Sequence, residues 1–181
     1  MVKLEAIYDI AVNQYNKLAD LIEKVYAAMK KNDAVRISKK AIMENYDFFI
    51  QCLLCKVAVG DGDIDHNELS FIQNIARYED FFKKFDEADD EKIIKTVGSF
   101  LEEVPLFIQL LATADKSLEE NGMEQKYSKM AFAVLLNVVV SIASIDRKIE
   151  ENEFDEAIKC LEPIIDFYNA NGIKFMEEGK K

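Results

Sequence analysis

Val57-Ala58-Val59-Gly60-Asp61-Gly62-Asp63-Ile64-Asp65-His66-Asn67-Glu68-Leu69 returns in altered form as Ile142-Ala143-Ser144-Ile145-Asp146-Arg147-Lys148-Ile149-Glu150-Glu151-Asn152-Glu153-Phe154. Ala58 aligns with Ala143 and Asp61 with Asp146. Ile64, Asn67 and Glu68 align with Ile149, Asn152 and Glu153, all at one constant offset. Each copy follows a long apolar segment and opens an amphipathic one. Recurrence at a fixed offset marks a duplicated supersecondary unit. The expected building block is therefore a helix–tight-turn–helix hairpin used twice, near residues 50–80 and 135–165.

Much of the repeat has a structural purpose. With Asp65 at the N-cap, Glu68 falls at the third helical position and completes a capping box. Ile64 and Leu69 can staple across the cap, as can Ile149 and Phe154 in the second copy. Asp61, Asp63 and Asp146 are left over. Asp61 and Asp146 follow the C-terminal end of a helix, where negative charge is disfavoured by a few tenths to about 1 kcal/mol. An acid there needs a compensating partner. Either the free N–H groups of the next helix serve, with Gly62 closing the turn, or a cation does.

Outward from the repeat the spacing stays helical. Leu4, Tyr8, Ala11, Tyr15, Leu18, Ile22, Val25 and Met29 alternate in steps of four and three, an a/d seam of about four heptads. We read it as one long helix laid along the body of the same molecule, ended by Asn32-Asp33. A second helix is expected over about 38–59, a third over 65–82 and a fourth over 91–102. Pro105 suits the first turn of a fifth, which should end before the polar stretch Lys116 to Gly122. A sixth is expected over 124–145. A seventh is expected over 150–169, kinked or cut at Pro163. With 2 prolines and 6 glycines, the chain lacks the turn punctuation of a β-rich protein. The fold class is all-α, a single domain of about seven helices with an internal twofold repeat. Residues 1–34 form an N-terminal helix packed on the body, 35–172 the two similar halves, and 173–181 a frayed tail beginning near Asn171-Gly172.

Composition narrows the function. The 181 residues are 50% apolar, enough for one sizeable core. They carry 34 acidic against 23 basic residues, a net charge of -11. That balance argues against nucleic acid and bare anionic lipid, and favours cations or basic partners. The N-terminus carries acid early and does not read as a secretory signal. The longest apolar run, Met130 to Ala143, falls short of the ~20 residues of a membrane span, so no direct membrane insertion is expected. Three cysteines are not a disulfide framework. The expected location is cytoplasmic.

Ala58 to Glu68, with Ala-x-x-Asp-Gly, a hydrophobic residue two on, and Glu opening the next helix, resembles the tellurite-resistance TerB-like family. Val104-Pro105-Leu106-Phe107 followed by Asp115 is similar to that family's later helical segment. Ala143 to Glu153 looks like a second, altered copy in which Arg147 replaces Gly, placing Arg147 and Lys148 beside Asp146. The resemblance covers roughly residues 41–161. It implies a non-enzymatic, all-helical fold with pseudo-symmetry and a role in tellurite resistance or related stress responses. It also implies a metal or membrane-complex connection. By carry-over, Asp61, Asp63 and Glu68, with Asp146, Glu150 and Glu153, are the candidate metal residues, for a divalent cation of the calcium or magnesium type. The rival reading is a structural or protein-interaction module without a metal site, docking or forming a homodimer through the heptad helix. Either way a protein partner is expected.

Other chemistry is weaker. Asp61-x-Asp63-x-Asp65 fails as an EF-hand, with His66 where Gly is needed and Ile72 where Glu is needed. Cys52-x-x-Cys55 sits among Ile50, Leu53 and Leu54 inside a helix, so it reads as core rather than as a redox motif at a helix start. His66, the only histidine, falls at the first turn of a helix beside acids and reads as an exposed polar side chain. No phosphate-binding glycine loop occurs. Phe81, Phe82 and Phe85 read as helix packing.

Overall fold

The N-terminal seam folds as one helix, α1 (Leu4–Lys31), in the computed structural model, which describes residues 4–58, 75, 90–142, 144 and 151–173. Five more helices follow among the described residues: α2 (Lys39–Ala58), α3 (Asp90–Leu101), α4 (Leu106–Glu120), α5 (Tyr127–Ile142) and α6 (Glu151–Ala170). No strand occurs among them, and the all-α reading holds. The third expected helix lies outside the described residues, apart from Ile75, which is helical and buried.

The seam explains how α1 lies. Ala11, Tyr15, Leu18, Ile22, Val25 and Met29 are all buried, and the helix rests mainly on α5, with further contact to α4 and α2. Its a/d face is thus used within its own chain. Where α1 turns into α2, the Tyr26 hydroxyl donates to the Ile37 carbonyl and the Ser38 Oγ accepts from Ala41 N–H, both at 3.1 Å. The second bond makes Ser38 the N-cap of α2.

α2 is the hub. It touches every other described helix, and the seven residues Phe49 to Cys55 are buried without interruption. A helix apolar on all sides belongs in the interior. Tyr46, Phe49 and Phe107 of α4 form its aromatic centre: Phe107 meets Tyr46 at 5.1 Å and Phe49 at 5.7 Å, both edge-on.

The ends of the helices differ from several expectations. α4 continues through Lys116 to Glu120, because those polar residues sit mostly on its solvent side. Pro105 is its N-cap, one residue before the first turn. α6 runs through Pro163 to Ala170. Ile164 and Tyr168, both in the core, hold the segment beyond the proline. Asn171 and Gly172 are not frayed. Gly172 N–H donates to Asn169 O at 3.1 Å and Ile173 N–H to Tyr168 O at 2.9 Å, a Schellman close that buries Ile173.

The same motif closes α4 at Gly122 and α1 at Asp33. Gly122 and Gly172 have φ of +72° and +76°, and Asp33 has +53°. A side chain at that φ meets its own backbone, costing about 1–2 kcal/mol. Gly122→Ala and Gly172→Ala should each lose about that much in urea denaturation, even though an added Cβ would meet no neighbour. Asp33→Gly should gain about 0.5 kcal/mol, because it removes the strain and an acid at a helix C-terminus while adding freedom to the unfolded chain.

Candidate functional site

Of the six candidate acids, Asp61, Asp63, Glu68, Asp146 and Glu150 lie outside the described residues. Glu153 is at the third position of α6, and only its backbone is described. The scaffold on either side is defined. The described part of α2 reaches Ala58, three residues before Asp61, and that of α5 reaches Ile142, four before Asp146. The two helices touch, and α6 packs on both. His66 also lies outside the described residues. Among those described, no cluster of three His, Cys, Asp or Glu side chains could hold a metal ion.

Two described polar side chains, Asp115 and Asn45, secure helix starts. Asp115 of α4 is fully buried and accepts from the N–H groups of Lys126, Tyr127 and Ser128 at 2.9, 2.9 and 2.7 Å. It caps α5 from another helix, and its charge meets the positive end of α5's dipole. Asn45 Oδ1 does the same for α4, accepting from Leu106 N–H at 2.7 Å. The Tyr15 hydroxyl donates to the Asp47 carboxylate. The Tyr46 hydroxyl donates to the Tyr15 carbonyl at 2.8 Å, with the two rings stacked at 5.1 Å. The sequence carries a signal for the role of Asp115. The residue falls on the same stripe as Ile108 and Leu111, and a carboxylate on a buried stripe demands donors.

Cys52 and Cys55 are buried free thiols, as expected for core residues. Burial pushes the Cys55 thiol from the ordinary 9.0 up to about 12. Burial, and then the neighbouring Cys55, push Cys52 higher still. Burial likewise raises Tyr46 and Tyr168. Each of these groups is neutral when folded and ionises more readily once unfolded. The stability they supply is complete below pH 9 and is lost as pH climbs towards 12. Unfolding free energy should therefore be flat from pH 7 to 8.5 and fall steeply above 9, by up to about 1.4 kcal/mol per pH unit for each thiol. A urea series across pH 7 to 11 measures it.

A cleft of about 500 Å³ opens between the C-terminal part of α1 and α4, lined by Val25, Met29, Asn32, Lys116 and Tyr127 among others. The Lys116 ammonium at its edge donates to Asn171 Oδ1 at 2.7 Å, tying α4 to the end of α6. The stretch Val97–Glu120 is apolar enough by length and composition to cross a membrane. It is broken, however, at Glu102 to Pro105, between the end of α3 and the start of α4. No protein-family model matches the chain, and no curated protein or solved structure matches it either.

Proposed function

We propose that the chain is a non-enzymatic binding module on the TerB-like plan, a duplicated helical hairpin whose two acidic turns hold a divalent cation of the calcium or magnesium type. A basic segment of a protein partner is the alternative ligand of the same carboxylates. The observation that carries this reading is the sequence repeat, which sets Asp61 and Asp146 at equivalent positions, each expected just past the C-terminal end of a helix, and the described parts of those two helices pack together. The field there repels a carboxylate unless something positive balances it.

Three features support the duplication. Tyr46, Ile50, Leu53, Leu54 and Val57 of α2 are buried, and so are Ala131, Leu135, Val138, Val139 and Ile142 of α5, each 85 residues on. The four helices α1, α2, α4 and α5 all touch one another, as two packed hairpins would. Both α1 and α4 close with a Schellman turn before the next helix begins. A role in tellurite resistance or a related stress response, beside a membrane complex, is what the resemblance of Ala58 to Glu68 implies. The net charge of -11 favours cationic over nucleic-acid ligands.

Calorimetric titration of metal-free protein with calcium, magnesium, manganese and zinc tests the cation. Binding should release or absorb heat with at least one ion. At a hundredfold excess over Kd it should add about 2.7 kcal/mol of stability, and Asp61→Asn or Asp146→Asn should remove both effects. No heat and no shift in Tm at millimolar concentration of any of the four would leave the repeat a purely structural device.

A further inference from the structure

The two central helices agree on their buried faces and differ on one other stripe. On α2 that stripe is Asn45, Phe48, Cys52 and Cys55. The first two are half-buried and the cysteines buried, and Phe48 stands edge-on to Phe100 of α3 with ring centroids 4.5 Å apart. The stripe 85 residues on is Met130, Ala133, Asn137 and Val140 of α5, spaced three, four and three apart, and all four are exposed. Met130 is 51% exposed and Val140 36%. A helix this apolar normally has neighbours around it, and here Met130, Ala133 and Val140 stand in the open along a stripe whose one polar member is Asn137. The charge of this face is also unlike the rest of the molecule. α5 holds no acid, and Lys126 and Lys129 stand at its N-terminal end, Lys129 lying 3.8 Å from the exposed Glu124, in a chain of net charge -11.

We propose that the Met130–Val140 stripe is the docking site for an amphipathic helix of a partner protein, occupying on α5 the place that α3 occupies on α2. This rests on the equivalence of α2 and α5 argued above, but not on the cation site. The partner helix presents apolar residues at a spacing of three and four and carries acid at the end that lies over Lys126 and Lys129. α3 itself has that chemistry: it begins Asp90-Glu91, and its apolar residues recur at 93, 94, 97, 100 and 101.

The probe is therefore a capped synthetic peptide of residues 90–101, titrated into the full-length, isotope-labelled protein and followed by amide chemical shifts. Saturable shifts should centre on Met130, Ala133, Asn137 and Val140. Ala133→Glu, a change at an exposed position, should weaken binding about tenfold or more at unchanged Tm, and Met130→Glu should do the same if the first variant folds poorly. A scrambled peptide should not bind. The proposal is overturned by any of four results. These are no shifts at millimolar peptide, equal binding of the scrambled peptide, shifts confined to α2 around Phe48, or a peptide-free dimer that Ala133→Glu dissolves, which would give the face to a second copy. Peptide binding without cation heat would sink only the cation reading, and cation heat without peptide binding only this one.

Discussion

Phe107→Ala should lower the unfolding free energy by about 4 kcal/mol, because it opens a cavity where α4 meets α2. The ring is fully buried at the first turn of α4 and packs edge-on against Tyr46 and Phe49 of α2. Burial of a phenylalanine accounts for most of that loss, and the two aromatic pairs add about 0.5–1.5 kcal/mol each beyond their area. Neighbours cannot collapse into the space easily. Tyr46 is held by its hydroxyl on the Tyr15 carbonyl, and Phe49 lies in the unbroken buried run of α2. Tm should drop by roughly 8–16 °C for a chain of this length. Phe107→Leu, which keeps most of the volume, should cost under half as much. Equal and small losses for both variants in urea denaturation would mean that this junction is not the centre of the core.

Asp115→Ala should cost about 3 kcal/mol or more. The carboxylate serves three backbone donors at the start of α5, at a position with no exposure. A hydrogen bond to a charged group contributes about 1.5–3 kcal/mol, and orphaned buried donors carry their own penalty. Asp115→Asn retains one acceptor oxygen but turns an amide N–H₂ towards backbone N–H groups, so about 2 kcal/mol is expected. The spectroscopic mark is local. Amide exchange at Lys126, Tyr127 and Ser128 should speed up before the rest of the molecule loosens.

The sequence revealed periodic features well and non-local ones poorly. The α1 seam was legible because a face repeated over four heptads has few other uses, and six of its positions are buried. Cys52 and Cys55 were legible as core because the residues around them are apolar. The start of α5 was not: it begins at Tyr127 rather than near residue 124, because its cap comes from Asp115 on another helix. The end of α4 was misplaced because Lys116 to Glu120 look like a loop by composition, while their spacing puts most of them on the solvent side of one more helical turn. Asn171-Gly172 looked like fraying because the same residues that loosen a chain also close a helix, and only the burial of Ile173 separates the two. The candidate acids carry no periodicity. Their repeat was visible, whereas the geometry of Asp61, Asp63, Glu68, Asp146 and Glu150 lies outside the described residues.

Because α2 is shielded by all five other described helices, its middle turns cannot meet solvent through any small opening. Hydrogens on the amides of Phe49 to Cys55 can be traded for deuterium only when the whole assembly comes apart. The slowest-exchanging amides of the protein should therefore sit on this one helix, and their rate reports global stability directly.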